Sequence, residues 1–98
     1  MSKTSRSEPT AADPDLDAAA EDELQRALTL SWAELAKVTP WGDTFEGFSP
    51  ANRPVLMERN YLWADAPGGD ILCEVAVFPN AVLYDGAARR SARVRRPT

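Results

Sequence analysis

Two stretches of the chain alternate with the period of a β-strand, residues 55–63 (VLMERNYLW) and 71–78 (ILCEVAVF). In the second, Ile71, Cys73, Val75 and Val77 share one face, and Leu72, Glu74, Ala76 and Phe78 share the other. In the first, Val55, Met57, Tyr61 and Trp63 share a face with Arg59. That arginine is a misfit, and it points to a sheet edge or to a side chain reaching out to water. The intervening ADAPGGD has the composition of a turn, so the two strands form a hairpin with a longer loop. After a Pro79-Asn80 turn, residues 81–84 read as a short strand, closed by Asp85-Gly86, the best tight-turn signal in the chain. Residues 87–94 read two ways: as a last strand with Ala92 and Val94 inward, or as a flexible basic tail.

The pattern changes to a helical one over residues 14–38. Leu16, Ala20, Leu24, Ala27, Leu28, Leu35 and Val38 recur at three- and four-residue spacing and make one apolar stripe. Asp13 before Pro14 suits an N-cap with proline at the first helical position, and the acids that follow complement the helix dipole. Ser31 and Glu34 form a capping-box pattern, which allows two helices, 15–29 and 32–38, with a break between them. Thr39-Pro40 ends the helical region in either case, because a residue before proline avoids helical dihedrals.

Residues 1–13 lack apolar periodicity and are expected to be a disordered tail. Residues 40–54 (PWGDTFEGFSPANRP), with three prolines, two glycines and three aromatics, read as a long loop, a length that is often functional. The expected architecture is α+β: an N-terminal helical segment packed on a three- or four-stranded antiparallel β-meander, one domain over residues 14–96. A unit of roughly 75 residues buries only about 60% of its unfolded surface, so its stability is marginal, and a partner or a homo-oligomer would help it.

Charge adds an asymmetry. Residues 8–23 hold seven acids (Glu8, Asp13, Asp15, Asp17, Glu21, Asp22, Glu23) and no base. Residues 89–96 hold five arginines (Arg89, Arg90, Arg93, Arg95, Arg96) and no acid. The net charge of −4 therefore divides into −9 before residue 89 and +5 from residue 89 onward. Either the two ends pair with each other, or both are solvated, or one is a docking surface for an oppositely charged partner.

Several function classes lose their residues. Without histidine there is no Ser-His-Asp or Cys-His catalysis and no conventional zinc site. The lone Cys73 reads as a small core hydrophobe. No apolar run is long enough to span a membrane, and the start MSKTSRSEPT does not resemble a secretory signal, so a cytoplasmic location is expected. Asp43 with Glu46, and Asp65 with Asp70, are the only paired-acid candidates, and each suits a turn as well. Asp13, Asp15 and Asp17 alternate like a calcium loop, but Ala18 and Leu24 stand where glycine and glutamate are needed. Gly68-Gly69 has no phosphate-loop context. No enzyme activity, metal or cofactor is expected.

Two candidate surfaces remain. Trp41, Phe45 and Phe48 could close the core as a lid or anchor another protein. Arg89, Arg90, Arg93, Arg95 and Arg96 could dock on a protein or on nucleic acid. Residues 85–98 offer no aromatic ring to stack on a base, and the acidic remainder would repel a duplex, so nucleic acid is the weaker alternative. The expectation is a small non-enzymatic protein-binding module, an accessory subunit, regulator or inhibitor of a larger protein. A further alternative has the acidic run of residues 13–23 mimicking a phosphate backbone to inhibit a nucleic-acid-binding protein.

Overall fold

The computed structural model describes residues 4–6, 13–79 and 86–97. The chain is α+β: strand β1 (Thr4–Arg6), helices α1 (Pro14–Ala27) and α2 (Trp32–Val38), then strands β2 (Trp41–Phe48), β3 (Pro54–Trp63), β4 (Ile71–Phe78) and β5 (Ala88–Val94). The strands form one antiparallel sheet in the order β1-β5-β4-β3-β2, so β2 to β5 are a four-stranded meander with short β1 added beside β5. The expected strand at 81–84 lies outside the described residues. No helix among the described residues is long and apolar enough to cross a membrane.

The helical region divides as its capping signals suggest. The Asp13 carboxylate accepts from the N–H groups of Asp15 and Leu16 at 3.0 and 3.3 Å, starting α1. Ser31 and Glu34 form a reciprocal capping box that starts α2. Leu16, Ala20, Leu24, Ala27 and Leu35 are buried, while Val38 ends the stripe 46% exposed. Helix α1 lies across β4 and β5, and α2 touches β4. The sheet face beneath them carries Val55, Met57 and Tyr61 from β3, Ile71, Cys73, Val75 and Val77 from β4, and Ala88 and Ala92 from β5, all buried.

The expected long loop at 40–54 is corrected: Trp41–Phe48 is a strand, paired residue by residue with β3 from Trp41–Tyr61 to Phe48–Pro54. Two residue types disguise it. A Cβ on Gly42 would lie 2.4 Å from Asn60 Oδ1, and one on Gly47 would lie 3.2 Å from Met57 Cε. These glycines serve close cross-strand packing, not turns. Asp43 points to the helix side with Trp41 and Phe45, breaking the apolar alternation. The true turn is short: Ser49 N–H donates to Arg53 C=O at 2.9 Å, with Asn52 in the left-handed region at φ 63°. Of the two readings of residues 87–94 the strand holds, over Ala88–Val94. One more reading changes: Thr4–Arg6 lies in the sheet where a disordered tail is expected.

Candidate interaction surfaces

Alternation sorts the side chains of the sheet to two sides. Trp41, Asp43, Phe45 and Arg59 face the helices but lie beyond the strands that α1 covers. Arg59 organises this margin. Its guanidinium grips Asp43 bidentately, Nε to Oδ1 at 2.8 Å and Nη2 to Oδ2 at 2.5 Å, and its Nη1 donates to Glu23 of α1 at 3.0 Å. It also lies over the rings of Phe45 and Trp41, at 4.6 and 5.1 Å from their centroids. Trp41 in turn packs on Tyr61 at 4.9 Å. Glu23 is only 3% exposed and takes a second bond from Arg26 at 2.7 Å. The Arg59 hydrogen bonds hold the Asp43 carboxyl below its ordinary value, and burial pushes the Tyr61 hydroxyl up.

The arginines of the C-terminal segment are divided. Arg90 turns to the helix side and forks onto Asp17, at 2.9 and 2.8 Å. Arg93 bridges Asp65 and Asp70 at the β3–β4 turn, and Asp70 also accepts the Arg96 N–H at 2.9 Å. Arg89 is exposed on the other side of the sheet, over the Phe78 ring at 5.6 Å. Arg95 and Arg96 are exposed beyond β5, Arg96 over Trp32 at 5.7 Å. On the acidic side, Asp13 and Asp15 both engage Arg53 at 2.8 Å. Much of the charge split is thus settled inside the fold. These contacts lower the Asp13, Asp15, Asp17 and Asp70 carboxyls: Arg53 acts chiefly on Asp13, Ser49 on Asp15, Arg90 on Asp17 and the Arg96 N–H on Asp70.

The acid pairs separate in the same way. Asp43 and Glu46 fall on opposite sides of β2, so they do not converge, while Asp65 and Asp70 meet at Arg93. Among the described residues no cluster of His, Cys, Asp and Glu could hold a metal ion. Cys73 is buried, and burial pushes its thiol up to about 11.

The side of the sheet away from the helices was not singled out in the sequence as a surface. No helix among the described residues covers it, but Ala76 and Phe78 on it are buried, so it is open only in part. Its rows, read across β2, β3, β4 and β5, include Thr44, Glu58, Ala76 and Arg89, then Gly42, Asn60, Glu74 and Ser91, then Leu62, Leu72 and Arg93. A groove of about 260 Å³ runs between Glu58, Asn60, Glu74, Arg89 and Ser91. Leu62 is 39% exposed at one end, and Phe48, on this side by alternation, is 66% exposed at the other. Of the candidate residues, Phe48, Arg89 and Arg93 belong to this open side, and Trp41, Phe45 and Arg90 do not. Comparisons with protein-family models, with curated proteins and with solved structures give no match.

Proposed function

We propose that this protein is a non-enzymatic protein-binding module of the cytoplasm, an accessory subunit, regulator or inhibitor of a larger protein, and that it docks through the open side of its sheet. The observation that carries this reading is the exposure of Phe48 and Leu62 at the ends of a face whose middle is a charged groove with Arg89 at its margin. Phe48 supplies an aromatic ring and Arg89 an arginine, two residue types enriched where proteins meet. The partner it fits presents apolar side chains spaced to meet Leu62 and Phe48, with an acidic group for Arg89 and donors for Glu58 and Glu74.

The two alternatives have less to stand on. Arg90 and Arg93 are engaged by Asp17, Asp65 and Asp70, which reduces the basic charge available to nucleic acid. Asp13, Asp15, Asp17 and Glu23 are engaged by Arg53, Arg90 and Arg59, which leaves the acidic run a poor imitation of a phosphate backbone.

Affinity capture from native lysate tests the proposal, with wild type beside Leu62→Lys/Arg89→Glu and a control, Arg95→Glu/Arg96→Glu. Circular dichroism first establishes that each folds. A protein retained by wild type and the control but lost from the open-face variant supports the reading. Capture of nucleic acid alone, lost from the control variant, would replace it with the nucleic-acid alternative.

A further inference from the structure

Strand β2 is the margin of the sheet, and among the described residues no strand pairs with its outer side. Its ladder with β3 runs over eight residues without a bulge. Because Ser49 N–H bonds to Arg53 C=O, the alternation of an antiparallel ladder commits the backbone groups of Trp41, Asp43, Phe45 and Gly47 to β3. The N–H and C=O groups of Gly42, Thr44, Glu46 and Phe48 therefore point outward. Edges of this length are usually blunted by charged side chains, lysine above all, by an internal proline or by a bulge. WGDTFEGF has no lysine, proline or bulge, and of its two charges the inward Asp43 is neutralised by Arg59, which leaves Glu46. Trp41 and Phe45 pack half-buried against the margin of the core beside this edge.

We infer that β2 pairs antiparallel with β2 of a second copy of this chain, about a two-fold axis perpendicular to the sheet near Thr44 and Phe45. The strand is complementary to itself in that arrangement. Centred on Thr44, Trp41 stands opposite the partner's Gly47, Gly42 opposite the partner's Glu46, and Asp43 opposite the partner's Phe45. Large side chains meet glycine, and no like charges face each other. Centred on Phe45, Asp43 faces the partner's Gly47 and the two Phe45 rings meet. A centre on Asp43 or on Glu46 would set two carboxylates opposite one another and is disfavoured. Both favoured registers keep each side chain on its own side of the sheet. The result is one continuous sheet with the helices of both copies on one side and both open faces together on the other. Closed two-fold pairing of this kind uses one surface patch twice and consumes both edges. The dimer does not depend on the open face binding a larger protein, so the two readings fail separately.

Sedimentation of the full chain over the micromolar range tests the pairing, with Thr44→Pro and Thr44→Lys as variants. The Thr44 N–H is not used by β3, so proline there removes an outward donor and spares the fold's own ladder. Lysine blunts the edge by charge. Wild type is expected at twice 10.7 kDa, and both variants at 10.7 kDa with unchanged circular dichroism. Thr44→Cys or Phe45→Cys is expected to give a disulfide-linked dimer on mild oxidation, since opposed residues in such a pair have Cα atoms about 4.5–5.5 Å apart. Buried Cys73 does not compete. A monomeric wild type would overturn the inference. So would a dimer that survives both Thr44 variants and yields neither cross-link.

Discussion

Replacing Arg59 by methionine should be among the most damaging single changes outside the apolar core. Methionine keeps an unbranched stem over Trp41 and Phe45 but removes the guanidinium that joins α1, β3 and β2. It strands Glu23, which is 3% exposed and then keeps only Arg26, itself largely in solvent. Removing one partner of a buried ion pair costs about 3–5 kcal/mol, and a cation over an aromatic ring adds about 0.5–1 kcal/mol. Arg59 and Asp43 are 26% and 33% exposed, so water screens part of this, and about 2–4 kcal/mol is the expected loss. In a domain this small that lowers Tm by roughly 10–25 °C. Urea and thermal unfolding, followed by circular dichroism and tryptophan fluorescence, measure it. Adding Glu23→Gln to Arg59→Met removes the stranded anion and should recover about 1 kcal/mol or more. A single Arg59→Met variant within about 0.5 kcal/mol of wild type would refute the role given to this cluster.

Acid should act through the same contacts. The Asp43 and Asp17 carboxyls are held below their ordinary 3.8 by arginine hydrogen bonds, so the stability they contribute is present above that value and is lost as pH falls through their lowered values. Unfolding midpoints measured from pH 6 to pH 2 should fall steeply only below about 4, and less steeply in Arg59→Met. Cys73 should resist thiol reagents at neutral pH in the native protein and react at once in denaturant, because burial keeps the thiol protonated and covered. Phe48→Ala, at an exposed position, should change stability by less than about 0.5 kcal/mol, whereas Leu24→Ala in the core should cost about 2–5 kcal/mol.

The fold was legible where local signals agree with packing. The caps at Asp13 and Ser31 mark both helix starts, and strand β4 spans Ile71–Phe78 as its alternation implies, with the row from Ile71 to Val77 in the core. Strand β2 was not legible, because its inward row contains Asp43 and Gly47 beside Trp41 and Phe45. An inward aspartate reads as a loop residue until its partner is known, and that partner, Arg59, is the very misfit in β3. Two anomalies sixteen residues apart thus explain each other: an inward arginine and an inward acid are one ion pair across neighbouring strands. The pairing of Arg90 with Asp17, from opposite ends of the chain, was legible only as a balance of charge. The open face was only partly legible: Phe48 reads as a loop aromatic that closes the core or anchors a partner, and Leu62 falls inside an apolar strand, until the side that the helices cover is known.

Site-specific photo-crosslinking tests whether the open side of the sheet contacts another protein. A photoreactive side chain is placed at Leu62, on the open face, and in a separate chain at Arg26, on the exposed helical side, and each is irradiated in native lysate. A discrete adduct with a larger protein is expected from position 62 and none from position 26. Equal adducts from both positions, or an adduct from position 26 alone, would contradict it.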